Sequence, residues 1–457
     1  MRPVLATLGL LLLVAAADQD SVGPRTRRVM PVTGSGWPKY CGDASMSGTP
    51  TGRSAINTAT VVNMALAWQT TLQGPVASAP SVLRNRVYIG DWAGNENMLD
   101  ARTGRLLASV NLGLTHAPQC EPETLGITSS AAIANGFVYV AGGDDGFYGL
   151  DADTLKVVWR KSLGDNSASG GYYGWCSPSV AGNRVLQGVS SNCDDPFVQG
   201  RIVALDPLTG EEVAHANFIG DGGKGNGVWT SPAVDLQNHK VYVTTASGDD
   251  YFDGIGYSIV RLDLDTLQLE DLWKVDSEYA DWDADWGSSP TLFYDANGNQ
   301  LVGAGHKDGH YYAFSRAKLS DGPVWNTEIA LGGEIPQEGD GVLSTAAFDG
   351  TRLYVGGGTP PDSDDPGVHG TVVALDPADG KVLWRQTFPG PVIGPTSTVG
   401  GVVFAAGGNL VEAIDAASGQ VLWSTHTDAD LYGGIAIAGD TIFVGDLAGS
   451  LYAFRIR

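Results

Sequence analysis

A short phrase that begins with Asp returns about every 40 to 57 residues and constrains this chain more than any other feature. Its six copies, usually Asp-x-x-Thr-Gly, begin at Asp100, Asp151, Asp206, Asp263, Asp376 and Asp415. Most copies are followed by a strand-like run with a Trp, as in Val157-Val-Trp159, and preceded by a β-rich run such as Val138-Tyr-Val140. A turn-rich repeat of this length, built only from strands, is typical of a β-propeller with four strands in each blade.

The blades can be counted if their strands are labelled A to D from the centre of the ring to its rim. The last copy, residues 432–457, stops after strand C. The run Leu66-Ala-Trp-Gln-Thr70 reads as a strand D without a preceding A, B or C, so we expect it to join the last blade. Closing the ring in this way leaves no exposed sheet edge. The sequence therefore predicts an all-β, eight-bladed propeller over residues 37–457, with seven blades as the alternative if one copy is miscounted.

The repeated Trp and Asp residues have a structural explanation that needs no ligand. A rim Trp that packs on the next blade explains Trp68, Trp159, Trp273, Trp325, Trp384 and Trp423. The Asp of each turn is expected to accept hydrogen bonds from the backbone of its own turn. Neither set is needed for a functional site.

The charge and the N-terminus indicate an exported protein. The 457 residues include 51 acidic and 27 basic ones, a net charge of −24, which argues against nucleic acid and anionic membranes as partners. Residues 1–20 are predicted to be a signal peptide, with Arg2, an apolar run at 8–14 and small residues at 15–17. An uncleaved anchor is the alternative, although this run is short for a membrane span, and no later segment is apolar enough for one. Residues 21–36 are expected to be a flexible leader, and the protein to be secreted, extracellular or periplasmic.

Four cysteines, an even number, suggest disulfides in an exported chain. There is no Cys-x-x-Cys-His motif for covalent haem and no Cys-x-x-Cys pair for zinc. Cys176 opens strand A of blade 3 and Cys193 lies in the B-to-C loop of that blade, so a Cys176–Cys193 bond is expected. Cys41 and Cys120 would then remain, although spacing alone does not determine the pairing.

One face of the propeller is expected to carry the chemistry. With this strand order the D-to-A connections and the B-to-C loops share a face, and the Asp-x-x-Thr-Gly turns lie on the other. Residues that a turn does not need gather on the first face: Trp175-Cys176, Cys193-Asp-Asp195, Trp229, Asp249-Asp-Tyr-Phe-Asp253, Asp281-Trp-Asp-Ala-Asp-Trp286 and His306-Lys-Asp308. Extra aromatic side chains and a Lys among carboxylates predict a ligand site.

Four longer phrases narrow the choice of family: Val87-Tyr-Ile-Gly-Asp-Trp-Ala-Gly94, Gly227-Val-Trp-Thr-Ser-Pro232, Asp285-Trp-Gly-Ser-Ser-Pro-Thr-Leu-Phe293 and Gly303-Ala-Gly-His-Lys-Asp-Gly309. Over residues 37–457 the chain resembles the quinoprotein alcohol dehydrogenases, and most of all the branch similar to polyvinyl alcohol dehydrogenase, with pyrroloquinoline quinone (PQQ) repeats. The resemblance implies an eight-bladed propeller that holds PQQ and usually Ca²⁺ near its axis. There an alcohol is oxidised by base-assisted hydride transfer to the quinone.

The resemblance also implies roles for individual residues. Trp229 would be the flat floor under the quinone, where its indole can stack on a planar ring system. Lys307 would lie beside the quinone oxygens and stabilise charge on the reduced ring. Asp285 would be the base that takes the hydroxyl proton, with Asp283 competing for this role. Thr128 would contact a carboxylate of the quinone.

The family binds Ca²⁺ through a Glu, an Asn and the catalytic Asp, which are the hard oxygen ligands that this ion prefers. In this chain Asp249, next to Asp250, occupies the Asn position, and Asp194 or Asp195 takes the place of the Glu. Together with Asp285 these residues are the expected metal ligands. The pair of adjacent cysteines that caps the quinone in several relatives is absent, and Cys120 stands alone in that region.

Three functions compete at this stage. The first is a secreted quinoprotein oxidoreductase that oxidises a small-molecule or polymeric alcohol or polyol with PQQ and Ca²⁺ and passes electrons to an external acceptor. The second is a non-catalytic propeller that binds a protein or glycan through the same acidic face. The third is a propeller enzyme with other chemistry, such as a metal-assisted lyase or hydrolase.

Overall fold

Eight four-stranded antiparallel sheets form the blades of a propeller in the computed structural model, which describes residues 36–277 and 283–457. Strands A to D follow the chain order in seven blades, as predicted. Blade 1 consists of Ser81–Leu83, Arg86–Gly90, Asn95–Asp100 and Leu106–Asn111, and blade 2 of Ala132–Ala134, Phe137–Ala141, Gly146–Asp151 and Val157–Ser162. Blade 3 consists of Ser179–Ala181, Arg184–Ser191, Arg201–Leu205 and Glu212–Asn217, and blade 4 of Ala233–Asp235, Lys240–Thr244, Ser258–Asp263 and Leu269–Lys274. Blade 5 consists of Thr291–Tyr294, Gln300–Gly305, His310–Ser315 and Pro323–Glu328, and blade 6 of Ala347–Phe348, Leu353–Gly357, Gly370–Leu375 and Val382–Phe388. Blade 7 consists of Ser397–Val399, Val402–Gly407, Leu410–Asp415 and Val421–His426.

The eighth blade joins the two ends of the described chain. Its strands A to C are Ala436–Ala438, Thr441–Gly445 and Ser450–Ile456, and its strand D is the N-terminal strand Met64–Thr71. This strand runs antiparallel to strand C, with Met64 opposite Ile456 and Thr71 opposite Ser450. The predicted eight blades and their closure by an N-terminal strand are therefore confirmed, and the seven-bladed alternative is wrong.

A few short elements lie outside the blades. The strands Thr115–His116 and Thr124–Leu125 form a hairpin before blade 2, and Tyr172–Tyr173 pairs with strand B of blade 3. The described residues include 3₁₀ turns at Val61–Asn63, Leu319–Asp321 and Pro336–Glu338. No helix in residues 36–277 or 283–457 is long and apolar enough to cross a membrane. The predicted signal peptide, and the predicted leader except for Gly36, fall outside the described residues.

The rim Trp of one blade packs on the repeat turn of the next. In blade 2, Trp159 donates from Nε1 to the carbonyl of Pro207 over 3.1 Å, and its ring covers Gly210, where a Cβ would lie 2.4 Å from a ring carbon. Gly210 also has a φ of +72°, which a residue with a side chain adopts only with strain. The same pairing joins Trp68 to Gly104, Trp325 to Gly380 and Trp384 to Gly419. The Trp and the turn Gly therefore recur together because they form one contact between blades.

The Asp of the repeat stabilises its own turn, as predicted. In blade 3, Asp206 accepts hydrogen bonds at Oδ1 from the backbone N–H groups of Leu208 and Thr209, over 2.8 and 2.9 Å. Equivalent bonds form at Asp100, Asp263 and Asp415. These carboxylates lie on the face opposite to the candidate site and need no ligand.

Hydroxyl side chains at the start of strand A link neighbouring blades around the axis. Each hydroxyl oxygen accepts a hydrogen bond from a backbone N–H of the preceding blade. The bonds are Ala79 to Ser130, Ser130 to Ser177, Ser177 to Ser231, Ser231 to Ser289 and Ser289 to Thr345, over 2.8–3.1 Å. The Ser-Pro and Ser-Ala phrases of the sequence thus form an inner belt.

Residues 36–51, here called the axial plug, join the innermost strands of most blades. Trp37 exchanges two backbone hydrogen bonds with Val82 of blade 1, over 2.7 and 2.8 Å. Further carbonyls of the plug accept from strand A of five other blades, at Ile133, Val234, Leu292, Phe348 and Thr398, over 2.7–2.9 Å. The plug fills the centre of the ring beneath one face, and Tyr40 of the plug lines the cavity on that face.

Candidate functional site

A cavity of about 460 Å³ opens on the face that carries the D-to-A connections and the B-to-C loops. This volume lies within the usual range of about 300–1,000 Å³ for small-ligand sites. Residues from both types of connection line it, among them Trp92, Trp175, Trp229, Asp194, Asp285 and Lys307. The predicted gathering of aromatic and charged side chains on one face therefore corresponds to a real concavity at the axis.

Three carboxylates converge at one side of the cavity. Asp194 comes from the B-to-C loop of blade 3, and Asp283 and Asp285 come from the connection into blade 5. One carboxylate oxygen from each lies within 4.8 Å of the others, close enough to share a cation. Asp285 is buried and accepts a 2.5 Å hydrogen bond at Oδ1 from the backbone N–H of Ser247, and the Ser247 hydroxyl donates to Asp194 Oδ2 over 3.4 Å. We call Asp194, Asp283 and Asp285 the carboxylate cluster.

Lys307 is the cation that the described chain places against this cluster. It follows strand B of blade 5 and is 8% exposed. Its Nζ donates to Asp283 Oδ1 over 2.6 Å and lies 3.7 Å from Asp285 Oδ2. Burial alone would lower the pKa of Lys307, but Asp285 and Asp283 outweigh it and raise that pKa, so the side chain stays charged.

The cluster carries more negative charge than Lys307 balances. Burial, and then the neighbouring Asp285, raise the pKa of Asp194 to about 7 and that of Asp283 to about 6. Both values follow from placing carboxylates together in a site with little water. A bound proton or a bound cation would therefore stabilise the cluster.

Trp229 and Thr128 also line the cavity, and they differ in whether their polar atoms are already hydrogen-bonded. The indole Nε1 of Trp229 is buried and has no hydrogen-bond partner among the described residues. Thr128 is already bonded, since Trp92 Nε1 donates to its Oγ1 over 3.0 Å and Tyr173 Oη lies 2.7 Å away. Trp229 and Ser190 are thus cavity residues with an unpartnered polar atom among the described residues, whereas the Thr128 hydroxyl is bonded to Trp92 and Tyr173.

The structure does not bring Asp249 to the carboxylate cluster. Asp249 and Asp250 are exposed in the long B-to-C loop of blade 4, and neither lines the cavity. Ser247, two residues earlier, makes the contacts to Asp285 and Asp194 instead. Asp195 is also exposed and lies outside the cluster, while Asp194 occupies it. Asp281 and Trp282 fall outside the described residues.

The predicted Cys176–Cys193 disulfide is wrong. Cys193 is bonded to Cys120, with their Cα atoms 5.7 Å apart, whereas Cys41 and Cys176 are free and buried. Cys176 points into blade 3, where its Sγ accepts a hydrogen bond from the backbone N–H of Gly188 over 3.2 Å. Cys193 lies farther out, in the loop beyond strand B, and so meets Cys120 in the hairpin connection that precedes blade 2.

Several cavity residues gave no signal in the sequence. Tyr40 comes from the axial plug, Glu121 from the loop of Cys120, and Glu334 from the connection after blade 5. All three lie in connections that do not follow the repeat, so their neighbours could not be inferred from the pattern. Cys120, next to Glu121, was a sequence signal that this loop could be bonded to another part of the chain.

Comparison with known proteins establishes the family. The family model for the PQQ_2 repeat, described as outer membrane protein assembly factor BamB, matches residues 119–318 and 270–457. The chain belongs to the PQQ_2 repeat family. The matched residues of this PQQ_2 propeller include the disulfide, the carboxylate cluster, Trp229 and Lys307.

The relatives of the PQQ_2 propeller include dehydrogenases. It is 23% identical over 383 residues to the polyvinylalcohol dehydrogenase of Sphingopyxis sp. (strain 113P3), which covers 73% of the chain and 56% of the relative. It is 36% identical over 146 residues to the quinoprotein ethanol dehydrogenase of Pseudomonas putida, covering 30% of the chain and 22% of the relative. The matches thus span about half or less of these curated relatives.

A solved structure supports the fold of the PQQ_2 propeller independently. The quinohemoprotein alcohol dehydrogenase from Comamonas testosteroni superposes with a TM-score of 0.75 at 20% identity, over 92% of this chain and 80% of that one. At this identity the likeness is evidence for the fold alone. The superposition extends over nearly the whole of the described ring.

Proposed function

We propose that this propeller is a quinoprotein oxidoreductase that oxidises an alcohol or polyol with PQQ and a bound cation such as Ca²⁺. The observation that carries the proposal is the convergence of Trp229, Lys307 and the carboxylate cluster on one axial cavity. A planar aromatic floor, a fixed positive charge and hard oxygen ligands are what a flat, anionic quinone and its cation require. The relatives that are named as dehydrogenases support the same interpretation of these residues.

The residues present fit both groups. The half-buried ring of Trp229 lines the cavity and offers a surface for a planar ligand, and Lys307 offers a buried charge for its oxygens. The hydroxyl oxygens of Ser130, Ser177 and Ser231 accept bonds within the inner belt, which leaves their hydrogens to donate into the cavity that they line. Asp194, Asp283 and Asp285 would hold the cation.

The charge of the cavity predicts an order of binding. Its lining contains Lys307 and five carboxylates: Glu121, Asp194, Asp283, Asp285 and Glu334. A quinone that carries carboxylates of its own would be repelled by this lining. A divalent cation on the carboxylate cluster reduces the repulsion, so the cation is proposed to bind before the quinone or with it.

Each side chain then has one task in the oxidation. Bound PQQ would supply the electrophilic carbonyl that accepts a hydride from the alcohol carbon. Asp285 takes the proton of the substrate hydroxyl at a carboxylate oxygen, and its hydrogen bond from Ser247 fixes the orientation of that carboxylate. Lys307 holds Asp283 in its anionic form and presents positive charge to the same side of the cavity. Trp229 fixes the plane in which a flat ligand can lie.

The location, the electron acceptor and the substrate class of the protein are also part of the proposal. The predicted signal peptide and the Cys120–Cys193 disulfide favour a secreted protein, extracellular or periplasmic, since such bonds persist in oxidising compartments. An external carrier is proposed to accept the electrons. The substrate class, a small-molecule or polymeric alcohol, comes from the names of the relatives.

The test is reconstitution of purified protein with PQQ and Ca²⁺, followed by quenching of Trp fluorescence and by dye-linked oxidation of ethanol and of polyvinyl alcohol. Saturable quenching that depends on Ca²⁺ and is lost in Trp229→Ala supports the proposal. Asp265→Asn, an exposed carboxylate on the opposite face, is the matched control and should leave binding and oxidation unchanged. Absence of quinone binding at saturating Ca²⁺ would reject the proposal.

A non-catalytic role is the second candidate, because the matching family model is described as an outer membrane protein assembly factor. In that case the acidic cavity would be part of a surface that binds a protein or glycan. Asp285→Asn separates the two candidates. It should abolish oxidation if the propeller is a dehydrogenase, whereas a purely scaffolding propeller would show no oxidation before or after the change.

A further inference from the structure

The loop that carries Asp194 is unusually dependent on contacts from outside its own blade. In blade 2 the B-to-C connection occupies residues 142–145, whereas in blade 3 it occupies residues 192–200. Asp194 itself has a φ of +59°, a left-handed conformation that costs a residue with a side chain some free energy. Its carboxylate accepts one side-chain hydrogen bond, from Ser247 over 3.4 Å. Local hydrogen bonds therefore hold this carboxylate only weakly.

The repulsion of Asp283 and Asp285 opposes the observed position of Asp194 more than the attraction of Lys307 favours it. Asp283 and Asp285 repel it whenever all three are ionised, as they must be to bind a cation. A longer loop with one weak side-chain bond would relieve this repulsion by moving outward. Something else must keep the loop in place until the cation arrives.

Two contacts from the connection before blade 2 supply this restraint. Cys120 is bonded to Cys193, the residue next to Asp194, and Gln119 donates from Nε2 to the carbonyl of Asp195 on its other side over 2.7 Å. The backbone of Asp194 is thus tied on both flanks to the same neighbouring segment. Cys120 is buried, whereas Cys193 lines the cavity and is reached from its mouth.

A third contact fixes the start of the loop. Trp175 donates from Nε1 to the carbonyls of Ser191 and Asn192, both over 3.0 Å. Asn192 also donates from Nδ2 to the sulfur of Cys120 over 3.4 Å. The first residues of the loop are therefore fixed by blade 3, and the part around Asp194 depends on Cys120 and Gln119.

We propose that the Cys120–Cys193 disulfide, assisted by Gln119, positions Asp194 for cation binding, so that reduction of this one bond weakens the cation site while the propeller stays folded. Cys120, Cys193 and Gln119 are positioning residues, since none of them belongs to the cluster that would hold the cation. Reduction by an added dithiol transfers two electrons and two protons to the disulfide and leaves two thiols and an oxidised dithiol. The cation site then depends on the redox state of the surroundings.

The inference rests on the proposed function, because it takes the carboxylate cluster as the cation site. Its test uses Ca²⁺ alone. Chelator-treated protein is titrated with Ca²⁺ by calorimetry in three forms: oxidised, reduced with dithiothreitol, and as the Cys120→Ser/Cys193→Ser variant. Loss of an outer contact to a metal ligand typically weakens binding about 10–100-fold. The reduced and the substituted protein should both show an increase of this size in Kd, with unchanged far-ultraviolet circular dichroism.

A second comparison separates positioning from a general structural effect. If the disulfide acts through Asp194, its reduction should change the Kd of Asp194→Asn much less than that of the wild type, because the two changes are coupled. Equal losses in both backgrounds would overturn the proposal, and so would an unchanged Kd in the reduced wild type. Should the double Ser variant fail to fold, Gln119→Ala with the disulfide intact replaces it, and it too should raise the Kd.

The proposed function and this inference can fail separately. Quinone and alcohol take no part in the titration. If Ca²⁺ binds in a disulfide-dependent manner but PQQ does not bind, the proposed function is rejected and the inference stands. If the oxidised wild type binds no Ca²⁺ at pH 8, the inference is overturned.

Discussion

The Nζ of Lys307 lies 2.6 Å from Oδ1 of Asp283, and both groups are part of the wall of the axial cavity. The same carboxylate belongs to the cluster that is proposed to bind a cation. Lys307 and the cation therefore compete for Asp283, although both would favour an anionic ligand. A mutation of Lys307 should therefore affect the binding of the cation and the binding of the anionic ligand in opposite directions.

Lys307→Gln should strengthen cation binding and weaken quinone binding. Removal of a positive charge within 4 Å of two carboxylates should lower the Ca²⁺ Kd by about tenfold or more, because such charges still interact by several kcal/mol at the edge of a protein. Calorimetry gives the Ca²⁺ Kd, and Trp fluorescence the PQQ Kd. Lys318→Gln, an exposed lysine, is the control and should change neither. Parallel losses of both affinities would contradict this interpretation.

Asp285→Asn should remove catalysis. An amide cannot accept the hydroxyl proton, so kcat in the dye-linked assay should fall by about 10²–10⁴-fold, the usual contribution of a general base. The assay is run at saturating Ca²⁺ and PQQ so that weaker binding does not mask the result. Asp283→Asn should retain more activity, because Asp283 is engaged by Lys307. A greater loss in Asp283→Asn would make Asp283 the base.

Asp249→Asn distinguishes the ligand set expected from the sequence from the one that the structure assembles. Asp249 is exposed and lies outside the cluster, so its neutralisation should leave the Ca²⁺ Kd within about twofold of the wild type. Asp194→Asn should raise that Kd by tenfold or more in the same titration, on the order expected for loss of a metal ligand. A large effect at Asp249 would restore it as a ligand.

Cation binding should weaken as the pH falls below about 7. The pKa of Asp194 is raised to about 7 and that of Asp283 to about 6 without a cation, and Ca²⁺ binds only their ionised forms. The Ca²⁺ Kd should therefore be nearly constant above pH 8 and rise by roughly a hundredfold at pH 5.5, with release of up to two protons. Asp194→Asn should reduce the pH dependence by about one proton. A Kd that does not change between pH 5.5 and 8 would exclude this cluster.

Glu412 should make the propeller less stable as the pH rises. This carboxyl is 6% exposed in strand C of blade 7, its Oε2 lacks a partner among the described residues, and burial raises its pKa from 4.5 to about 7. The folded state therefore binds this proton more tightly than the unfolded state, and the cost of ionising it grows between pH 4.5 and 7, to at most about 3 kcal/mol. Glu412→Gln should raise the thermal midpoint at pH 8 relative to pH 5, whereas exposed Glu211→Gln should not. Equal shifts at both pH values would contradict the explanation.

The sequence predicted the ring, and it predicted that residues from different blades gather on one face, because both features depend on the repeat. The strand around Trp68 was recognisable as a displaced strand D, and Trp229, Asp285 and Lys307 stand at fixed positions relative to their blades. The Cys120–Cys193 bond and the exposure of Asp249 could not be predicted in this way. Both depend on connections whose length and path differ from blade to blade, so the repeat offers no template for their contacts.

The contacts of the axial plug could not be predicted from the repeat either. Trp37 lies before blade 1, in a segment that carries no copy of the repeat, so its partners could not be predicted from the pattern. A backbone carbonyl carries no sequence signal, and the strand A residues that bond to the plug are brought together only when the ring has closed. Contacts of this kind follow from the complete fold and not from any local pattern.

The plug also determines how the propeller must fold. Repeat proteins usually gain their stability from neighbouring repeats and can grow from any point along the chain. Here Ser47 bonds to Phe348 and Gly48 to Thr398, and Met64, after the plug, pairs with Ile456, so residues near the start of the described chain are bound to blades 6, 7 and 8. Contacts between such distant parts of a chain form slowly. We therefore expect the eight blades to melt as a single cooperative unit, and a chain cut between any two blades to leave neither half able to persist alone.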